Sequence, residues 1–271
     1  MEHSSYPVLS VEQAREHILA NLSPLAPQRV DILEALGLVL VSDVVAGGSI
    51  PPHDNAAMDG YAVQHRDLGS APVRLQVVGQ VAAGSVWSGV LEPGKALRIM
   101  TGAPMPAGAD TVVRFEDTQT AEDTVLIRRV PEEGANVRQA GEDVHPGEVV
   151  LAAGTVLGPA EIGMLASLGQ PSVLVHRRPR VAVLATGDEI VPVDAALQPG
   201  KIHNINSYAN AAQVLQAGGQ PIVLEPAPDA ALALHQGLRN ALEAQADLIV
   251  TSGGVSVGDF DLVKQVLSTE G

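Results

Sequence analysis

The stretch Asp247-Leu248-Ile249-Val250-Thr251-Ser252-Gly253-Gly254-Val255-Ser256-Val257-Gly258-Asp259 runs from an apolar segment of strand length through a glycine-rich turn. It predicts a strand over 247–252 and the start of a helix over 259–267. Working back along the chain, residues 180–186 (RVAVLAT) form another strand-length apolar run. Residues 206–217 read as a helix closed by Gly218-Gly219, 221–224 as a strand, and 229–245 as a long helix. Strands alternating with helices of this length imply right-handed crossovers and a parallel sheet covered on both faces. Such sheets bind ligands beyond the C-terminal ends of their strands, so the loops after Thr186 and Thr251 are where chemistry is expected.

The glycine-rich loop has two readings. Gly253, Gly254 and Gly258 allow a sharp turn and close approach of backbone to a ligand, and a following helix start offers open N–H groups to an anion. Ser252 and Ser256 add hydroxyls. The plainer reading is a βα turn with Asp259 as N-cap, but the glycines and hydroxyls exceed what a turn needs, which favours anion binding. It is not a Walker loop, because no lysine follows the glycines. At the end of the 180–186 run, Ala185-Thr186-Gly187-Asp188-Glu189 places two carboxylates on the same rim. Asp188 and Glu189, with Asp259 across the same rim, would suit Mg²⁺, which takes carboxylate and phosphate oxygens; a solvated loop is the alternative.

The rest of the chain divides by pattern. Ser10 and Gln13 form a capping box ahead of Val11, Ala14, Ile18, Leu19 and Leu22 at helical spacing. A second short helix is expected from Asp31 to a stop at Gly37. From Gly47 to Pro146 short alternating runs such as Val73, Leu75, Val77 and Val125, Ile127 replace helical periodicity, punctuated by Gly and Pro. A helical pattern returns over 159–168, with Gly169 as C-cap. The expected fold is multidomain α/β plus β. A discontinuous, mainly helical first domain (1–46 and 147–176) carries an inserted all-β domain (47–146). A partial three-layer α/β domain with a mostly parallel sheet follows (177–271).

Composition removes several function classes. With no cysteine, the chain has no disulfide, thiolate metal site or cysteine nucleophile. A formal net charge of −15 and 2 % aromatic residues argue against nucleic-acid binding, which wants basic surface and rings for stacking. The eight histidines show no paired metal-binding spacing. No basic-then-apolar leader and no apolar run of membrane-spanning length occur, so the expectation is a soluble, cytoplasmic protein without a membrane partner.

Three further motifs are weak individually. Pro51-Pro52-His53-Asp54-Asn55-Ala56-Ala57-Met58-Asp59-Gly60-Tyr61-Ala62 reads as a tight turn that could present Asp54 or Asp59. Met100-Thr101-Gly102-Ala103-Pro104-Met105-Pro106 is a rigid loop by composition, and Gly141-Glu142-Asp143-Val144 is unremarkable alone. In order, however, AMDGYA, MTGAPMPAGADTVV, GEDV, ATGDEIV and TSGGVSVGDFDLVK resemble the molybdopterin molybdenumtransferases, the family that includes the E domain of gephyrin. The likeness spans residues 10–267. It implies an enzyme that takes adenylylated molybdopterin and molybdate and releases AMP and molybdenum cofactor with the help of Mg²⁺. It also implies a homodimer, with the active cleft between the α/β domain of one subunit and the first two domains of the other. The upstream molybdopterin adenylyltransferase is a candidate partner. The family's acidic cleft residues match Asp59, Asp143, Glu189 and Asp259, its motif threonine matches Thr101, and Asp229 falls near a further acidic position.

The family continues past the equivalent of Gly271 with a PGKP segment, a GLPGNP-type loop and a small β domain, so the resemblance implies a C-terminally incomplete chain. Retained affinity for the adenylate with poor molybdate insertion is the matching expectation. Two other readings are an adenylyltransferase-like nucleotide-binding enzyme, which the AMDGYA segment and β insertion oppose, and an inactive scaffold or remnant. Replacing Gly254 with valine is expected to abolish anion binding without unfolding the chain. Unchanged binding in a phosphate titration would contradict the reading of the loop.

Overall fold

Every side chain from Val181 to Ala185 is apolar, and the folded chain buries them all, Val181 at 5 % exposure and the next four at 0 %. A strand hidden on both faces belongs at the centre of a covered parallel sheet. The computed structural model, which describes residues 9–253 together with Val263 and Val266, places it there. Strand Arg180–Ala185 lies between Gln220–Val223 and Leu248–Ser252, parallel to both, with Val181 in register with Pro221 and Leu248.

Two compact units are present, one of them built from Met1–Val41, Gly154–Pro159 and Ser172–Gly271. It begins with helix α1 (Val11–Ala20), where Ser10 Oγ accepts from Gln13 N at 3.2 Å and Gln13 Oε1 accepts from Ser10 N at 2.9 Å. The capping box is as expected, but no residue of α1 is buried, and Val11 is 81 % exposed.

The short helix expected from Asp31 does not form. Pro27–Asp31 is a strand, antiparallel to Ser172–His176, which pairs on its other side with Val39–Leu40. Residues 32–37 make turns, ending at Gly37 with φ +73°. A helix of six residues is too short to stand without packing, and the ladder to Ser172–His176 takes its first residue. The segments expected to be mainly helical thus also contribute a three-stranded sheet.

Helices α3 and α4 follow the expected alternation. Helix α3 (Ile205–Gln216) is capped by Asn204, whose Oδ1 accepts from Ser207 N at 3.1 Å, and α4 spans Ala231–Glu243. Helix α4 sets Leu234 against Leu184 in a cluster that includes Ala227, Val263 and Val266. Gly237 permits this approach, since a Cβ there would lie 2.9 Å from Leu184 Cδ2. The helix expected over 259–267 lies outside the described residues except for Val263 and Val266, both helical and buried. At the opposite end of the sheet, Asp247 accepts from Arg177 Nη1 and Nη2 at 2.6 and 2.5 Å and from Arg180 N at 2.8 Å.

The second unit, Ser42–Ala153 with Ala160–Pro171, is built on a six-stranded sheet. Its order is Thr111–Arg114, Gly60–Val63, Lys95–Ile99, Val73–Val81, Thr124–Ile127 and Thr118–Ala121. All neighbours are antiparallel except Val73–Val81 with Lys95–Ile99. Alternation along Gly60–Val63 sends Ala62 into one apolar cluster, with Leu97 and Val112, and Tyr61 and Val63 into another, with Val113 and Val125. Gly60 is obligatory: a Cβ would fall 2.0 Å from the Val113 carbonyl oxygen. Helix α2 (Pro159–Ser167) ends as expected at Gly169, with φ +68°.

The Arg177 guanidinium and the Arg180 amide hold the Asp247 carboxyl down at about 2, below its ordinary 3.8. A carboxylate with a depressed folded pKa stabilises the fold above its unfolded value and loses that contribution as pH falls through the folded one. Asp247→Asn should therefore lower the melting temperature by a few degrees at neutral pH, with the difference from the parent vanishing as the pH approaches about 2. Equal melting temperatures at pH near 7 would show that the clamp contributes nothing.

Candidate functional site

The parallel sheet brings three loops to one rim. Thr186 N donates to Ser252 O at 3.2 Å, Gly187 N to Ala227 O at 3.1 Å, and Ala227 N to Ala185 O at 2.9 Å. The chain leaving each of the three strands is thereby tied to its neighbour at the C-terminal end of the sheet. Gly253 has φ +104°, and a Cβ on it would stand 2.8 Å from Thr186 Oγ1. Only glycine suits this position, on conformational and steric grounds alike.

Two hydroxyl oxygens on this rim, Thr186 Oγ1 and Ser252 Oγ, are buried and have no hydrogen-bond partner among the described residues. A buried hydroxyl without a partner costs roughly 1–3 kcal/mol. Adjacent strands present both oxygens where a doubly wound sheet takes its ligand.

The acidic residues of the rim have distinct surroundings. Glu189 is exposed, and its carboxylate folds back over Gly187, where a Cβ would lie 2.6 Å from Oε2. Asp229 is exposed just before α4, and its N–H donates to Asp188 Oδ1 at 3.1 Å. The structure thus brings Asp229 to the loop that carries Glu189. Lys201 joins them, donating from Nζ to the Asp188 carbonyl oxygen at 2.6 Å. Glu189 is a hard oxygen donor of the kind Mg²⁺ takes, one or two carboxylates beside substrate phosphates being its usual set. Among the described residues no group of three His, Cys, Asp or Glu side chains is arranged to hold a metal ion. Gly254, Ser256, Gly258 and Asp259 lie outside the described residues.

Two residues of this rim, Thr186 and Lys201, are not among the site residues that the sequence suggests. Thr186 was seen only as the end of a strand, although its hydroxyl at that end was the available signal. Asp188, a candidate Mg²⁺ ligand by sequence, also accepts the hydrogen bond that fixes Asp229. Lys201 had no local signal; it arrives because Ile190–Val191 pairs in parallel with Ile202–His203.

In the other unit, Asp59 and Thr101 meet. Asp59 Oδ1 accepts from both Thr101 N and Thr101 Oγ1, each at 2.7 Å, and both residues are exposed. The amide and then the hydroxyl of Thr101 lower the pKa of Asp59, with Arg98 adding a smaller push in the same direction. Arg98 lies over the Phe115 ring at 5.0 Å from its centroid, and Phe115 meets Tyr61 edge to face at 5.5 Å. Asp143 is exposed; its N–H donates to Ile50 O at 3.0 Å, and no hydrogen bond joins it to the Asp59–Thr101 pair. The site residues thus form a rim group of Glu189, Asp229, Ser252 and Gly253 in one unit and an Asp59–Thr101 pair in the other.

Most of the chain is matched by known protein families. Residues 9–169 match the MoeA N-terminal region (domain I and II), and 182–271 match a probable molybdopterin binding domain. A molybdopterin molybdenumtransferase of Nostoc sp. is 42 % identical, over 99 % of this chain and 63 % of its own length. One from Haemophilus influenzae is 37 % identical, over 97 % of this chain and 65 % of its own length. The chain therefore spans a little under two thirds of these relatives. The solved structure of a molybdopterin biosynthesis MoeA protein from Pyrococcus horikosii superposes with a TM-score of 0.82 at 33 % identity, covering 98 % of this chain and 67 % of that one. No helix among the described residues is long and apolar enough to cross a membrane. With both segments matched and the fold shared, the chain belongs to the molybdopterin molybdenumtransferase family.

Proposed function

We propose that this chain binds adenylylated molybdopterin at the rim of its parallel sheet and takes part in molybdate insertion, the adenylate being cleaved to AMP as molybdenum cofactor forms. The observation that carries the reading is the pair of buried hydroxyls, Thr186 Oγ1 and Ser252 Oγ, which have no hydrogen-bond partner among the described residues and lie beside a glycine that admits close approach. A phosphate oxygen would give each of them an acceptor. Such local donors are needed, because a net charge of −15 repels an anionic substrate at long range. Lys201 supports the same end by placing a cation at the rim.

Mg²⁺ would be held by Glu189 with Asp259 and would neutralise charge on the phosphates. Asp229, fixed through Asp188, adds a further carboxylate to that rim. Asp59 is the proposed reacting carboxylate of the other unit, kept ionised by Thr101, and Asp143 is proposed to line the same cleft, which would form across a homodimer. The upstream adenylyltransferase is the proposed source of substrate.

The direct test is incubation with adenylylated molybdopterin, molybdate and Mg²⁺ with AMP measured by chromatography. Binding of the adenylate with slow AMP release dependent on the protein is expected; no binding would refute the proposal. Asp59→Asn should reduce AMP release by roughly 10²-fold or more, as loss of a reacting acid–base group does. Thr101→Val removes one donor from Asp59 and raises its pKa, so the acid limb of the pH–rate profile should move to higher pH with little change in melting temperature. An unshifted acid limb would show that the Asp59–Thr101 bond does not set the protonation state that matters.

A further inference from the structure

Beside strand Pro27–Asp31 the first unit has a solvent-open cleft of about 370 Å³, lined in part by Gln28, Glu34, Arg177, Arg178, Arg180 and Gln220. Arg180 and Gln220 are the paired first residues of their strands, so the cavity lies at the N-terminal end of the parallel sheet. The candidate site lies beyond the C-terminal end of the same strand. A six-residue strand is about 20 Å long, which makes these two places distinct.

Three of the chain's 16 basic residues converge here, although the chain is strongly acidic. All three are arginines, which stay charged at any physiological pH. Two carboxylates are close by: Asp247, which is paired with Arg177, and Glu34, which lines the cavity and forms no ion pair among the described residues. The local balance is therefore positive.

Two of the guanidinium groups are also held in place, and all three have donors to spare. Arg178 spends Nη1 on Gly218 O at 2.9 Å and Nη2 on Leu36 O at 2.8 Å, which locks it across two turns. Arg177 is fixed by its bidentate bond to Asp247. Arg180 makes one long side-chain bond, from Nη1 to Gln245 Oε1 at 3.3 Å. A guanidinium carries five N–H donors, and among the described residues the Nε of none of the three has an acceptor. Gln28 and Gln220 add amide side chains to the same wall.

We propose that this cavity is a binding site for a phosphate-type oxyanion, either a free tetrahedral dianion or the phosphate of a phosphomonoester. Planar guanidinium forks suit such oxygens, and preorganised arginines lose little freedom on binding. Arg180 is the primary contact, being the least committed of the three, while Arg178 and Arg177 set the shape of the pocket.

The test is a titration of the isotope-labelled chain at constant ionic strength, following the backbone amide signals of Gln28, Arg178, Arg180 and Gln220. Inorganic phosphate, molybdate and AMP are the probes. Saturable shifts at these amides with phosphate or molybdate would mark a site for the free ion, and shifts with AMP alone a phosphomonoester site; both support the proposal. Arg180→Gln should weaken binding at least about tenfold, the loss of one charge-assisted contact, and Arg180→Lys should recover part of it. Shifts confined to Thr186 and Ser252, or no saturable shift at the arginine cavity with any probe, would overturn the proposal. Preserved signal dispersion in Arg180→Gln would show that its loss of binding is not a loss of fold.

Discussion

The burial of residues 181–185 on both faces is the constraint from which the rest of the α/β unit follows. A strand with no polar side chain in its middle cannot sit at a solvated edge or face water on one side, so it needs a partner strand on each edge and helices on each face. Its parallel neighbours then start and stop together, and their exits are gathered at one rim. The Thr186 to Ser252 and Ala227 to Ala185 bonds are the local expression of that gathering. The meeting of three loops, two buried hydroxyls and two carboxylate-bearing loops at this rim is a consequence of the topology.

In the second unit the comparable constraint is one of contact. The Val113 carbonyl comes so close to residue 60 that nothing larger than glycine fits, and this approach fixes where Asp59 emerges from the sheet. The loop that follows Ile99 then supplies Thr101, whose amide and hydroxyl close on one carboxylate oxygen. The pair sits where two strands of the sheet begin and end, so the sheet fixes the orientation of the carboxylate.

Much of this was legible in the sequence where local pattern and tertiary demand agree. The runs at 180–186 and 247–252 are strands because each has an apolar, β-branch-rich middle, and α3 and α4 fall within two residues of their expected bounds. Legibility failed where long-range pairing overrode local preference. Asp31 to Gly37 carries a helix-like cap and stop, yet the antiparallel ladder between Pro27–Asp31 and Ser172–His176 claims its start across about 140 residues of chain. The site was legible residue by residue through its motifs, but not as contacts. The Asp59–Thr101 bond joins positions 42 apart, and Lys201 reaches Asp188 only through a two-strand pairing that no spacing announces.

The two ends of the parallel sheet divide the electrostatic work of a protein whose overall charge opposes its proposed substrate. Arginines and Asp247 clamp the N-terminal end, while hydroxyls, glycine and Lys201 furnish the C-terminal rim. The most direct measurement is a crystal structure with AMP or adenylylated molybdopterin bound. The account predicts a phosphate oxygen within hydrogen-bond distance of Thr186 Oγ1 and Ser252 Oγ, with Gly253 against the ligand. A ligand whose phosphate touches neither hydroxyl would contradict it.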